Sequence, residues 1–286
     1  PQCKRCWKEE EAGKKSLRVR LSEFKGSKNT KKIFEKYIET KRYLEYPKVL
    51  TIIPGNECNL ACASCYGGFS SKWNSLIDNG DYKLQTKKTN WNMSDAEYQD
   101  IVDNSEKLQK IELFGGEPFL NKRNQKLLID KLIEKGTSKK ITLYFNTNGT
   151  VFDDKYMEHI TNNFKFVEIR LSMDGLYKQF EYLRYGADFE KVCINAKKFK
   201  ALPNIDFEII CTVSIFNLLS LDAIDNFCKE RNWSVYFNVA NWPDYLLLHN
   251  IPEETKKHIN LGPKFADIEQ YMKMKQCDQS AWKQFV

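Results

Sequence analysis

Cys58, Cys62 and Cys65 stand in one short segment, Cys58-Asn-Leu-Ala-Cys62-Ala-Ser-Cys65, with C-x3-C-x2-C spacing. A cubane iron–sulfur cluster has four irons, and three thiolates from one loop hold three of them, leaving the fourth open to a small ligand. Zinc is the competing ligand chemistry, but a structural zinc site takes four donors. The three histidines, His159, His249 and His258, are distant in sequence. Three unligated loop thiols are the remaining alternative.

Four further segments carry polar groups at the ends of β-rich runs. In Phe114-Gly115-Gly116-Glu117-Pro118 the glycines let the backbone approach a ligand, and Glu117 offers an acceptor to a cationic group. Alone, this could be an ordinary strand-to-helix turn. Asn146-Thr147-Asn148-Gly149 and Ser172-Met173-Asp174-Gly175 follow the next two runs. Ser172 and Asp174 could meet ribose hydroxyls, or could merely cap turns. Leu183-Arg184-Tyr185-Gly186 brings a guanidinium suited to bidentate carboxylate binding, with a surface ion pair as the plain alternative.

Together the triplet and the Gly-Gly-Glu-Pro turn resemble the signature of the radical S-adenosylmethionine superfamily, over about residues 49–240. The resemblance implies a [4Fe–4S] cluster on Cys58, Cys62 and Cys65, with S-adenosylmethionine as second cofactor. It implies cofactor contacts from Tyr66, Gly115, Gly116, Glu117, Asn148, Ser172, Asp174 and Arg184, with the Gly-Gly-Glu-Pro turn at the methionine amino group and Arg184 at its carboxylate. Many members carry an aromatic residue just before the third cysteine. Here Ser64 stands there and Tyr66 follows, so adenine packing is expected to be shared differently.

The chemistry so implied is reductive cleavage of S-adenosylmethionine to a 5′-deoxyadenosyl radical that takes a hydrogen from a peptide or protein substrate. The same chemistry on a nucleoside, sugar or small metabolite is the alternative. A non-catalytic iron–sulfur interaction or sensor module is the alternative of another class. An electron donor such as flavodoxin or ferredoxin is the expected partner; nucleic acid is not. No finishing catalytic residue can be named. Cys211 could donate a hydrogen atom, although a buried structural thiol is the plainer reading, as it is for Cys193 and Cys228. Cys3-Lys-Arg-Cys6-Trp7 resembles the N-terminal region of twitch and SPASM-type members, which implies an auxiliary iron–sulfur cluster at Cys3 and Cys6. A zinc pair or an unligated remnant are the alternatives there, and Cys277 reads as an incidental thiol.

The elements that must position these residues alternate. Strands are expected at Val49–Ile53, Ile111–Phe114, Ile141–Phe145, Val167–Leu171, Phe207–Val213 and Val235–Val239, separated by stretches of helical period. Ser94 before Asp95 and Glu97 marks a helix start. The fold class is therefore α/β, a partial (β/α)6 TIM-like barrel with an N-terminal extension, whose functional groups lie at the C-terminal strand ends. The expected division is an N-terminal extension at 1–47 with a helix around Lys31–Leu44, a barrel at 48–240 and a C-terminal helical segment at 241–286. Residues 66–93 are far longer than an ordinary βα loop. With Trp73, Tyr82 and Trp91 they read as a lid over the barrel mouth, or as an excursion stapled to its exterior.

A chain of 286 residues, 42% apolar and 13% aromatic, can bury one sizeable core. No apolar run is long enough to span a bilayer and no secretory leader opens the chain, so a cytoplasmic protein is expected. Nine cysteines in so large a chain fit a reducing compartment. Pro1 is no translational start, which suggests a preceding segment. Residues 1–48 hold fifteen Lys or Arg against seven acids, so the surplus of +7 is N-terminal. That is either a face for an acidic partner or an ordinary solvated surface.

Overall fold

Runs rich in Val, Ile, Leu and Phe form one parallel sheet: β1 (Val49–Ile52), β2 (Lys110–Leu113), β3 (Thr142–Thr147), β4 (Phe166–Ser172), β5 (Ile205–Val213) and β6 (Ser234–Val239). The computed structural model describes residues 4–11, 13, 16, 19, 39, 46–80, 87–120 and 122–273. The strands lie in chain order across the sheet, with β1 and β6 at its edges. Between successive strands the chain passes through α1 (Ser71–Asp78) and α2 (Asp95–Asp103), then α3 (Lys122–Glu134), α4 (Asp154–Asn163), α5 (Tyr177–Leu183) with α6 (Phe189–Ala201), and α7 (Leu221–Glu230). This is the open (β/α)6 arrangement, an α/β partial barrel.

Alternation along the strands separates two faces. Phe145, Val167, Ile169, Leu171, Ile209 and Cys211 are fully or almost fully buried, as are Leu132, Ile160, Val192, Phe199 and Ile224 of the crossover helices. Phe119 joins strand to helix, stacking on Phe145 at 5.0 Å and lying 5.5 Å from Phe199. The intervening strand residues face the other way and are polar. There Arg170 pairs with Asp206 at 2.7 Å and Glu208 at 3.2 Å, while Lys110 pairs with Glu168 at 2.9 Å. Half-buried charges on this inner face are thus neutralised by neighbours on nearby strands, Arg170 and Glu208 being direct register partners.

Helix starts are fixed by side-chain caps. Ser94 and Glu97 form the reciprocal capping box of α2, and Asp153 and Asp188 cap α4 and α6. The expected strands appear within two residues of their anticipated ends. A short antiparallel ribbon, Ala61–Cys62 against Arg184–Tyr185, is not foreseen from the sequence, because two-residue strands carry no periodicity. Helices α1 and α5 were likewise unforeseen.

By its contacts the chain divides into two units, residues 47–240 and the terminal stretches 1–46 with 241–286. The second unit contains the helices Lys4–Glu11, Glu253–Lys256 and Ala266–Met272. Cys6 lies on the first of these and is half-buried. Cys3, Tyr82, Cys277 and the expected helix Lys31–Leu44 fall outside the described residues, apart from Glu39. No described helix is long and apolar enough to cross a membrane.

Candidate active site

The Cys58–Cys65 loop follows β1 with almost no regular structure of its own, so neighbours must hold its shape. Ser71 grips Cys58 twice, accepting from its amide and donating to its carbonyl, both at 3.1 Å. Ser70 donates to the Leu60 carbonyl at 2.6 Å, and the buried Trp73 donates its indole N–H to the Cys62 carbonyl at 3.1 Å. Asn56, 1% exposed, uses its side chain to join Gly67 and Trp91, and Asn74 joins Gly67, Asn90 and Lys88. Trp91 also donates to the Gly68 carbonyl at 3.3 Å. In the described part of residues 66–93, Trp73 is therefore tied to the cysteine loop itself and Trp91 to its flanks at Asn56 and Gly68. The described part of this segment braces the cysteine loop, because its Asn and Ser groups satisfy loop backbone that the sheet cannot reach, while residues 81–86, with Tyr82 of the expected lid, lie outside the described residues.

In front of the loop lies a cavity of about 470 Å³ that all three cysteines line, together with Leu60, Ser64, Phe69, Phe114, Gly115, Gly116, Asn146, Asn148, Ser172, Arg184 and Thr212 among others. The strand-end segments singled out in the sequence thus meet at one place. Among the described residues, no three Cys, His, Asp or Glu side chains gather closely enough to hold a single ion. Three thiols on one short loop suit three irons of a cubane, with the fourth iron left open. Burial pushes the Cys58 and Cys65 thiols up to about 12. Cys62 is raised too, again by burial, with the Arg184 charge pulling the other way. Such thiols need the positive charge of a bound metal to ionise.

The cofactor cradle fits the same conclusion. Gly115 and Gly116 adopt φ of +78° and +49°, and a Cβ on Gly116 would lie 2.4 Å from the Glu57 carbonyl oxygen. Only glycine closes this turn against the cluster loop. Arg184, 7% exposed, projects from the ribbon beside Cys62, and its Nε is buried with no protein partner. An orphaned guanidinium N–H in a cavity wall suits an anionic ligand group.

Several expected contacts stand elsewhere. Glu117 does not line the cavity: its carboxylate accepts from Thr147 Oγ1 at 2.7 Å, the Asn148 amide at 2.6 Å and the Phe119 amide at 3.1 Å. It ties the end of β2 to the end of β3. Burial raises its pKa to about 7 although these three donors oppose the shift. Asp174 also faces protein, bonded to Arg184 at 2.8 Å and to the Thr212 amide at 2.7 Å. Its oxygens are thereby committed away from a ribose. Tyr66 is not in the wall either; it packs edge-on against Phe69 at 5.2 Å, and Phe69 supplies the cavity aromatic. Asn148 lines the cavity and donates to Asn59 at 3.1 Å and toward Cys58 Sγ at 3.8 Å. Ser172 lines it as well, bonded to Asn146 at 3.3 Å. Cys211 is fully buried beside Asn217 and outside the cavity, which fits the structural reading.

Phe69, Thr212 and the brace residues Asn56, Ser70, Ser71 and Asn74 were missed by sequence reasoning, and Trp73 was noticed for another role. Nothing but their closeness to Cys58–Cys65 could have drawn attention to Asn56, Ser70, Ser71 and Asn74.

Comparison with known proteins places this geometry. The chain is 24% identical over 196 residues to the radical SAM cyclopropyl synthase TigE of Paramaledivibacter caminithermalis, covering 66% of this chain and 40% of that protein. It shares its fold with anSMEcpe bound to AdoMet, at a TM-score of 0.54 and 22% identity over 68% of this chain and 52% of that one. Streptococcus suis SuiB bound to S-adenosylmethionine superposes at 0.55 with 18% identity, covering 93% of this chain and 60% of its own. The chain spans less than two thirds of the length of each. The Radical SAM superfamily model matches residues 52–218, a stretch running from β1 past β5 and including every cavity-lining residue but Thr51. The chain belongs to the radical SAM superfamily, whose enzymes use a [4Fe–4S] cluster and S-adenosylmethionine.

Proposed function

We propose that this chain cleaves S-adenosylmethionine reductively and uses the resulting radical to modify a peptide or protein. The observation that carries the reading is the convergence of Cys58, Cys62, Cys65, the Gly115–Gly116 turn and Arg184 on one cavity. A [4Fe–4S] cluster held by Cys58, Cys62 and Cys65 would supply the one-electron chemistry for cleaving the cofactor's sulfonium bond. The chain's own residues hold and orient. The three thiols fix the cluster, the Gly115–Gly116 turn receives the methionine end of the cofactor, and Arg184 Nε offers a donor to its carboxylate. Phe69, Ser172 and Asn148 bound the remaining space, and closed walls restrict water around a reactive intermediate.

The peptide substrate is supported by relatives of the same fold. SuiB has been crystallised with the precursor peptide SuiA, and anSMEcpe with the Cp18Cys peptide. We assign an external one-electron donor of the flavodoxin or ferredoxin kind, and residues 1–47, 48–240 and 241–286 as extension, catalytic barrel and C-terminal segment. Cys3 and Cys6 would supply half of an auxiliary site, visible as iron beyond the four of the first cluster.

Anaerobically reconstituted protein should release 5′-deoxyadenosine under dithionite, and the Cys58→Ala/Cys62→Ala/Cys65→Ala variant should not. Incubation with candidate precursor peptides should change peptide mass only with the intact triplet. Equal 5′-deoxyadenosine from both proteins would overturn the cofactor reading. Cleavage with turnover of small metabolites and no peptides would overturn the substrate reading alone.

A further inference from the structure

Arg184 has two engagements that a simple carboxylate anchor does not need. Its Nη2 is held by Asp174 at 2.8 Å, and its Nη1 points at Cys62 Sγ at 3.7 Å. Asp174 is itself fixed, accepting the Thr212 amide at 2.7 Å through Oδ1 while its own carbonyl accepts from Asn217 at 2.7 Å. The ribbon sets the register, since Cys62 and Arg184 are direct cross-strand partners. Both side chains of the ion pair are nearly buried, at 8% and 6% exposure. The result is an oriented dipole with its positive end against a cysteine sulfur and its negative end turned into the protein.

That orientation has a consequence for a cluster on Cys62. The one-electron step, [4Fe–4S]²⁺ plus an electron giving [4Fe–4S]⁺, adds negative charge that is shared by the ligating sulfurs. A buried positive charge and an N–H···S bond at one of them stabilise the reduced form. We propose that Arg184, positioned by Asp174, raises the reduction potential of the cluster and so lets a cellular one-electron donor reduce it. The proposal rests on the radical SAM reading above, and it gives Arg184 a task before any cofactor has bound. Asn148, whose amide points at Cys58 Sγ from 3.8 Å, acts in the same sense at the second cysteine.

The test is a dye-mediated redox titration of reconstituted protein without S-adenosylmethionine, read by the electron paramagnetic resonance signal of the reduced cluster. Normalised titration midpoints do not depend on how much protein carries a cluster, so variants that load poorly still report. Arg184→Gln should lower the ratio of reduced to oxidised cluster at a fixed potential by tenfold or more, which is a shift of about 59 mV for a one-electron couple. Arg184→Lys should fall between, keeping charge but losing the directed N–H. Arg184→Gln/Asp174→Asn removes the charged pair together and should remain below wild type. Restoration of the wild-type midpoint in that double variant would show that Arg184 only neutralises Asp174, and would overturn the proposal. Unchanged midpoints with weakened cofactor binding would also overturn it, leaving Arg184 a pure carboxylate anchor. Wild-type protein that takes up no cluster would instead refute the family chemistry itself.

Discussion

Gly116→Ala separates steric fit from backbone strain in the cofactor turn. The residue sits at φ +49°, and its added Cβ would approach the Glu57 carbonyl oxygen to 2.4 Å and the carbonyl carbons of Asn56 and Glu57 to 3.1 Å. Left-handed backbone costs a non-glycine residue about 1–2 kcal/mol. The neighbours are backbone, so they cannot rotate aside; the segment just before Cys58 must retreat by roughly 1 Å to restore van der Waals distance. That retreat also stretches the bond from the Glu117 amide to the Glu57 carbonyl, now 2.7 Å, worth about 1 kcal/mol. The loss of stability should total about 2–4 kcal/mol, a fall in midpoint on the order of 10 °C. Gly136→Ala is the control, with φ +76° and nothing within 4 Å of the added carbon. It should lose only the backbone strain. Thermal unfolding, iron per chain and 5′-deoxyadenosine release would be measured on both. A displacement near 1 Å at a reacting centre costs on the order of 100-fold in rate, so Gly116→Ala should lose that much release while Gly136→Ala keeps it. Indistinguishable stability and release in the two variants would refute the claim that the turn is closed against the cluster loop.

Trp73→Phe removes the indole donor from the buried Cys62 carbonyl while keeping an aromatic ring, and should cost about 1–3 kcal/mol with faster hydrogen exchange in residues 58–66; unchanged protection there would remove Trp73 from the brace. Glu117 gives a pH signature. Its folded pKa of about 7 lies above the usual carboxylate value of 4.5, so between them the native state holds a proton that the unfolded chain has released. Stability should therefore fall as pH rises from about 4.5 to 7, by a contribution on the order of 3 kcal/mol, and urea titrations of Glu117→Gln should show a flatter profile across that window. An identical slope in the variant would mean that another group sets it.

The six strands and the cysteine triplet were legible because both signals are local. Period-two alternation in Phe166–Ser172 and Ile205–Val213 requires only the residues themselves, and Cys58, Cys62 and Cys65 need only eight residues to present their spacing. Glu117 and Asp174 were read as cofactor groups for the same reason: type and position were visible, direction was not. Glu117 turns inward because Thr147 and the Asn148 and Phe119 amides offer three donors within 3.1 Å, two of them brought by sheet pairing from about thirty residues away and the third from its own turn. Tyr66 and Phe69 exchange roles because Gly67 and Gly68 reverse the chain between them. A Cβ on Gly68 would meet the Tyr66 ring at 2.4 Å, so the ring folds back and its neighbour fills the cavity wall.

The described part of the long excursion after the third cysteine differs from a lid for a deeper reason. A loop that binds a metal group must expose its thiols and cannot spend its backbone on a sheet ladder, so its carbonyls and amides need partners from outside. Asn56, Ser70, Ser71, Trp73 and Asn74 provide them, and all five are polar or carry a polar edge. Polarity with scattered aromatics is also how a mobile lid reads. What distinguishes the two is where the hydrogen bonds end. Here they end on the backbone of Cys58, Leu60, Cys62, Gly67 and Gly68, behind the sulfurs, leaving the open side to the glycine turn, Asn148 and Arg184. The brace fixes where the thiols are, and the cavity wall decides what charge they feel. Stability of the loop and reactivity of the cluster are therefore controlled by different residues, so that a change at Trp73 should alter loading and leave potential intact, while a change at Arg184 should do the reverse.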